Sequence, residues 1–184
     1  MLNKFAFALA LLASPAVASG IQIEVEGEGA NGIITIDLFE DIAPNHAERI
    51  TTLATDGQYD GVVFHRVIDG FMAQTGDVQY GNMDGDIRLA GRGGSDMGSV
   101  DAEFSDIQYD AAGLVGMARS QDVNSANSQF FIMFGPYPSL SGQYTVVGKV
   151  TGGQDVVDQI KRGLGPNGAM IGSPDVMKKV TAIK

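Results

Sequence analysis

The sequence predicts a mainly β domain: an antiparallel barrel whose ends are capped by two α-helices. Three observations predict it. Short β-rich runs recur along the chain, separated by Gly, Asp, Asn and Pro; only two segments carry helical apolar spacing; and no repeat or low-complexity tract divides the 184 residues. Many short strands with turn punctuation indicate a sandwich or barrel. Helices at its ends would keep apolar side chains in an open barrel mouth dry.

The chain begins MLNKFAFALALLASPAVA. One cation at Lys4, an apolar run from Phe5 to Ala13 and the small-residue close Ala16-Val17-Ala18 have the layout of a secretory signal peptide, cleaved after Ala18. A membrane anchor fits less well, because the run is about half the roughly 20 residues a spanning helix needs. Residues 1–18 are therefore expected to be removed, leaving residues 19–184 as a single domain with no later stretch apolar enough to span a membrane.

The full chain carries 12 bases against 22 acids, and loss of Lys4 with the leader lowers the bases to 11. Such a surface repels nucleic-acid phosphate and anionic lipid. There is no cysteine, which excludes disulfides, thiolate nucleophiles and thiolate zinc sites. An exported domain without disulfides fits a bacterial periplasm better than a disulfide-rich animal secretion or release outside the cell. A monomer is the default expectation.

Along the domain, Ile21-Gln22-Ile23-Glu24-Val25-Glu26 and Ile34-Thr35-Ile36-Asp37-Leu38 alternate apolar and polar residues around a glycine-bearing break. They read as an antiparallel hairpin. After Ala43-Pro44, the residues Ala47, Ile50, Leu53 and Ala54 share one helical face, and Gly57 ends the run. Further β-rich runs are expected at Val62–Ile68, Leu114–Ala118, Phe130–Phe134, Tyr144–Val150 and Val176–Ile183. Val156, Val157 and Ile160 mark a second helix, closed by Gly163. The glycine-rich stretch 81–99 has no periodicity and reads as a long surface loop. Asp84 and Asp86 flank Gly85 there, but an acidic turn accounts for them better than calcium, whose oxygen ligands should recur over about twelve residues.

Chemistry by nucleophile has little to work with: there is no Gly-x-Ser-x-Gly elbow, and only His46 and His65 represent histidine. His46 falls on the polar side of the first helix and is expected to be solvated. His65 points to the opposite face of its strand from Arg66 and reads as structural rather than as a general base.

Arg66 stands out within "FHRVIDGFMAQTGD". On a strand over 62–68, Phe64, Arg66 and Ile68 share a face; after the turn at Asp69-Gly70, Met72 and Gln74 do the same. In "SQFFIMF", Gln129 pairs with Phe131, leaving Phe130 and Ile132 for the other side. Phe71, Met72 and Phe131 would then wall a shallow apolar pocket rimmed by one cation and two amides. Spacing alone favours a plainer reading, a core strand with a snorkelling arginine.

Three blocks reverse that preference. "YDGVVFHRVIDGFMAQTGD", "GLVGMARSQDVNSANSQFFI" and "YTVVGKV" resemble the signature blocks of the cyclophilin-type peptidyl-prolyl cis-trans isomerases, and "GIITIDLFEDIAPNHAERITTLA" is similar to that family's first hairpin and helix. The resemblance implies a closed eight-stranded antiparallel barrel capped by two helices, a groove on its outer surface, and neither cofactor nor metal. By motif position, Arg66 matches the family's catalytic arginine, and Phe71, Met72, Phe131 and Leu140 match the walls of its proline pocket. Gln74 and Gln129 match groups that hold substrate backbone, the backbone at Arg119 falls where the peptide is hydrogen-bonded, and Ser120 and Tyr144 complete the binding set. His65 is a candidate support behind Arg66.

Ser139 stands where many eukaryotic members have tryptophan, Tyr144 where a histidine is usual, and Arg119 where an asparagine is usual. Bacterial relatives share the Met-Ala-Arg run and the tyrosine. The missing indole implies weak binding of cyclosporin. The implied partners are proline-containing unfolded or flexible polypeptides, and the implied activity is acceleration of X-Pro rotation during the folding of exported proteins. The alternative is a non-catalytic periplasmic chaperone that binds peptides in the same groove.

Overall fold

The computed structural model describes residues 19–184. The expected leader, residues 1–18, lies outside the described residues. The hairpin forms as expected: β1 (Gly20–Glu26) and β2 (Gly32–Leu38) are antiparallel, with Ile21 opposite Ile36 and Ile23 opposite Ile34. Ile21, Ile23 and Val25 are buried while Gln22, Glu24 and Glu26 are not, the outcome of a period of two on a sheet with one dry face.

Helix α1 (Pro44–Thr55) buries Ala47, Ile50, Leu53 and Ala54. Its N-cap, Ala43, makes no side-chain cap. The orphan donors are served from far away: Glu103 accepts from the backbone N–H of Asn45 and of His46, both at 3.1 Å. A carboxylate there also complements the positive end of the helix dipole. The expectation of a solvated His46 is corrected here. Its side chain is fully buried, with Nδ1 2.6 Å from Glu103, because the segment around residues 97–103 lies over the helix's polar side. Spacing within a helix cannot reveal a distant segment that covers it.

The remaining strands are β3 (Val62–Val63), β4 (Arg66–Ile68), β5 (Met72–Thr75), β6 (Leu114–Met117), β7 (Phe130–Met133), β8 (Val146–Gly152) and β9 (Val176–Ile183), with the short helix α2 (Gln154–Gln159) after β8. They form one nine-stranded sheet in the order β3-β9-β1-β2-β8-β6-β7-β5-β4. The expectation of a closed eight-stranded barrel is thus corrected. Its terminal strands, β3 and β4, are separated in the chain by only Phe64 and His65 but pair with β9 and β5 respectively, not with each other. The sheet must curl to bring its two edges so near, and register shifts at Glu24/Val25, Thr35/Ile36 and Val115/Gly116 add the twist that allows it. The single strand expected over Val62–Ile68 is broken at this seam. Phe64 consequently turns into the main core and does not share Arg66's face.

Strand alternation sorts β7 as expected. Phe130 and Ile132 join the main core with Tyr59 and α1, whereas Phe131 and Met133 join a second cluster with Met72, Tyr109, Leu114 and Val146 on the opposite face. The glycine-rich stretch is more than a surface loop. Buried Asp77, just past β5, accepts from the backbone N–H groups of Gln79, Tyr80, Gly91 and Gly93 at 2.7–3.1 Å. In the same stretch Asp86 caps the 3₁₀ turn Ile87–Leu89 and pairs with Arg88.

Candidate active site

Sheet register brings the site together. Arg66 lies opposite Gln74, Gln74 opposite Phe131, and Phe131 opposite Gly116, so one lateral row runs across β4, β5, β7 and β6. Residues in such a row project from the same face. The row therefore presents a cation, an amide and an aromatic ring, and then a glycine that leaves room for the ring. The next row places Ile68, Met72 and Met133 side by side.

Arg66, Phe71, Met72, Gln74, Arg119, Phe131, Leu140 and Tyr144 line one cavity of about 170 Å³, together with Ala118, which the sequence reading omitted. Phe71 is set by the β4–β5 turn and packs on Tyr137 at 4.4 Å between ring centroids. Phe131 is stacked on Tyr109 and meets Tyr144 edge-on at 5.7 Å. Leu140 arrives from the 3₁₀ turn Pro138–Leu140. The Arg119 guanidinium sits 4.5 Å above the Tyr144 ring and donates to the Gln143 carbonyl. The Ala118 N–H still pairs with the Gln129 carbonyl, so the backbone at Arg119 is the first beyond the ladder.

Gln129 and Ser120 line an adjoining cavity of about 220 Å³ that shares Gln74, Ala118 and Arg119 with the first. A chain of hydrogen bonds joins the two. Arg66 Nη1 donates to Gln74 Oε1 at 3.0 Å, Gln74 Nε2 to Gln129 Oε1 at 2.9 Å, and Gln129 Nε2 to the Gly93 carbonyl at 2.9 Å. Because a guanidinium only donates, it fixes the orientation of both amides in turn. Ser120 bonds Ser125 through its N–H and hydroxyl.

Partial burial draws the pKa of Arg66 below its ordinary value, with Tyr144 opposing. The group stays a cation, since guanidinium titrates far above neutrality. A residue that sequence reasoning missed holds its other edge: Nε donates to the Asn167 carbonyl at 3.1 Å and Nη2 to Asn167 Oδ1 at 3.0 Å. His65 is not brought to the groove. It is buried behind the groove's lining, against Gly91 and near Gln129, faces a separate cavity with Val63 and Met170, and neither ring nitrogen has a hydrogen-bond partner. Burial lowers its pKa to about 4, so the ring is neutral near pH 7. Among the described residues no group of three His, Asp or Glu could hold a metal.

The fold and groove define a cyclophilin-like domain. The family of cyclophilin type peptidyl-prolyl cis-trans isomerases (Cyclophilin type peptidyl-prolyl cis-trans isomerase/CLD) matches residues 21–182. The chain is 52% identical over 153 residues to a probable peptidyl-prolyl cis-trans isomerase of Brucella suis biovar 1 (strain 1330), covering 82% of this chain and 78% of that protein. It is 39% identical over 132 residues to peptidyl-prolyl cis-trans isomerase cypE of Dictyostelium discoideum, covering 70% and 78%. A cyclophilin type peptidyl-prolyl cis-trans isomerase of Cryptosporidium parvum, solved in the presence of the dipeptide Ala-Pro, aligns with a TM-score of 0.74 at 25% identity over 90% of this chain and 99% of that one. This chain belongs to the cyclophilin-type peptidyl-prolyl cis-trans isomerases, and it is an enzyme of that activity.

Proposed function

We propose that the cavity at Phe71, Met72, Phe131 and Leu140 seats the proline ring of a polypeptide, and that Arg66 is the catalytic donor. The observation that carries this is the placement of a tethered guanidinium at the rim of an apolar cavity of about 170 Å³. Resonance gives the X-Pro bond partial double-bond character and a rotation barrier of about 18–20 kcal/mol. In the twisted transition state the lone pair returns to the prolyl nitrogen, which becomes an acceptor. A guanidinium N–H aimed there stabilises the twisted amide more than either planar isomer, which is the differential binding that lowers a barrier. One preorganised donor of this kind contributes about 3 kcal/mol, or roughly two decades in rate.

The apolar walls hold the ring while the acyl side turns. Gln74, Gln129 and the backbone at Arg119 align the flanking peptide, and Ser120 and Tyr144 border it. No bond breaks, so the reaction asks for no nucleophile, proton shuttle, metal or cofactor. Replacing Arg66 with Ala is expected to lower turnover about a hundredfold or more in a protease-coupled assay on a proline peptide, with the fold retained; turnover near the parent's would sink the assignment.

The physiological setting follows from the leader-like residues 1–18 and the acidic, cysteine-free domain. The enzyme acts on exported proteins in a bacterial periplasm, as a monomer, with weak affinity for cyclosporin. Recovery of a chain beginning at Ser19 from the periplasmic fraction is the expected result; an uncleaved cytosolic chain would overturn this placement.

A further inference from the structure

Asn167 belongs to none of the motif blocks. It sits in the 3₁₀ turn Pro166–Gly168 between α2 and β9, and among the described residues it is the one non-glycine with positive φ, at φ 55 and ψ 32. The surrounding loop is docked along β4 on both sides of Arg66: Gly163 N–H donates to the Val67 carbonyl at 2.9 Å and Met170 N–H to the His65 carbonyl at 3.1 Å. A Cβ at Gly168 would collide with Ile68, so the approach is close.

The left-handed backbone has a geometric consequence. It turns the carbonyl and the side-chain Oδ1 of one residue toward the same edge of the guanidinium, onto Nε and Nη2. Gln74 takes one N–H of Nη1. The Met72 sulfur, 3.9 Å from Nη1, is a weak acceptor for the other N–H of that nitrogen. Of the five guanidinium N–H groups, three are thus held by oxygen, one meets sulfur, and one on Nη2 remains for a ligand.

We propose that Asn167 is a positioning residue for Arg66, a neutral stand-in for the carboxylate that an arginine edge ordinarily recruits. A carboxylate would make the stronger bidentate pair, but its charge would offset the field that the twisted amide nitrogen is to meet. A left-handed position without glycine favours Asn or Asp. Asn is the choice that keeps both acceptors and adds no charge. This inference rests on the reading of Arg66 as the catalytic donor.

The test uses the whole protein and three substitutions. Asn167→Gly is compatible with the left-handed backbone and keeps its carbonyl, while it removes the side chain and with it the Oδ1 that Arg66 Nη2 meets. It is expected to lower kcat about tenfold, less than the roughly hundredfold that a full 1 Å misplacement can cost because Gln74 and the backbone carbonyl at position 167 still hold the guanidinium, with KM and thermal midpoint near the parent's. Asn167→Asp keeps both acceptors and should be at least as impaired at pH 7, which loss of a turn former would not produce. In the Arg66→Lys background, where no planar fork exists to be held, Asn167→Gly should add nothing. If Arg66→Lys alone retains parental turnover, the reading of Arg66 fails and this inference with it. If Arg66→Lys is impaired but Asn167→Gly stays within twofold of the parent, or costs the same factor in both backgrounds, the reading of Arg66 stands and the inference alone is overturned.

Discussion

Phe131 owes its place to what Gly116 lacks. A Cβ at Gly116 would collide with the Tyr109 hydroxyl and with the Phe131 ring, and Tyr109 has no room to retreat, being fully buried. In Gly116→Ala the ring of Phe131 is expected to swing toward the cavity at an overpacking cost of about 1–3 kcal/mol. Paired measurements check this: kcat/KM on a proline peptide should fall by more than the urea midpoint alone would suggest, and an unchanged kcat/KM would show that the ring has another place to go. At this scale the site was largely legible. Arg66, Met72, Gln74 and Phe131 carry the period of a strand, the motif blocks supplied Arg119 and Tyr144, and the wider resemblance to the family supplied Leu140. Asn167 was not legible, since it meets Arg66 across 101 residues of chain and its local signal is only that of a turn.

The glycine-rich loop is an element built on one carboxylate. Asp77 gathers four backbone N–H groups, and the two from Gly91 and Gly93 tether the loop that offers the Gly93 carbonyl to Gln129. Asp77→Asn turns an all-acceptor group into one that must present an NH₂ to donors. A loss of about 2–3 kcal/mol follows from hydrogen bonds to a buried charged group, together with a raised KM as Gln129 loses its anchor. Denaturant unfolding and steady-state kinetics measure the two effects, and a rise in KM without any stability loss would mean that the loop is not held this way. Periodicity found the hairpin, α1, β6, β7 and β9 with nearly their observed limits. It merged β3 with β4 and passed over the covering of α1. Both errors have one cause: a run of apolar residues does not reveal where its hydrogen-bonding partner changes, and a helix face does not reveal what lies on it.

Across the whole molecule, the sheet's seam leaves an imprint on stability. His65 sits between the two terminal strands, unpaired, with its pKa lowered to about 4 chiefly by burial; nearby Asp77 opposes the shift and Arg66 adds to it. The unfolded chain binds a proton near pH 6.5 that the folded chain refuses until about pH 4, so folding weakens as pH falls through that window. The full difference amounts to about 3 kcal/mol. Burial shifts His46 in the same direction. Urea midpoints at pH 7.5 and 4.5 should therefore separate more for the parent than for His65→Gln, and equal separations would show that the seam histidine is not the source.

Local pattern was enough for the class of fold, the hairpin and helices, and the strand that carries the cation, because periods of two and 3.6 are written in neighbouring residues. With the motif blocks it was enough for the enzyme family and for most of the groove. Tertiary structure alone decided that the sheet runs as nine strands open at a seam, that His46 and the far side of α1 are covered, and that Asn167 closes on Arg66. Those outcomes depend on which distant segments meet, and no spacing along the chain encodes the meeting.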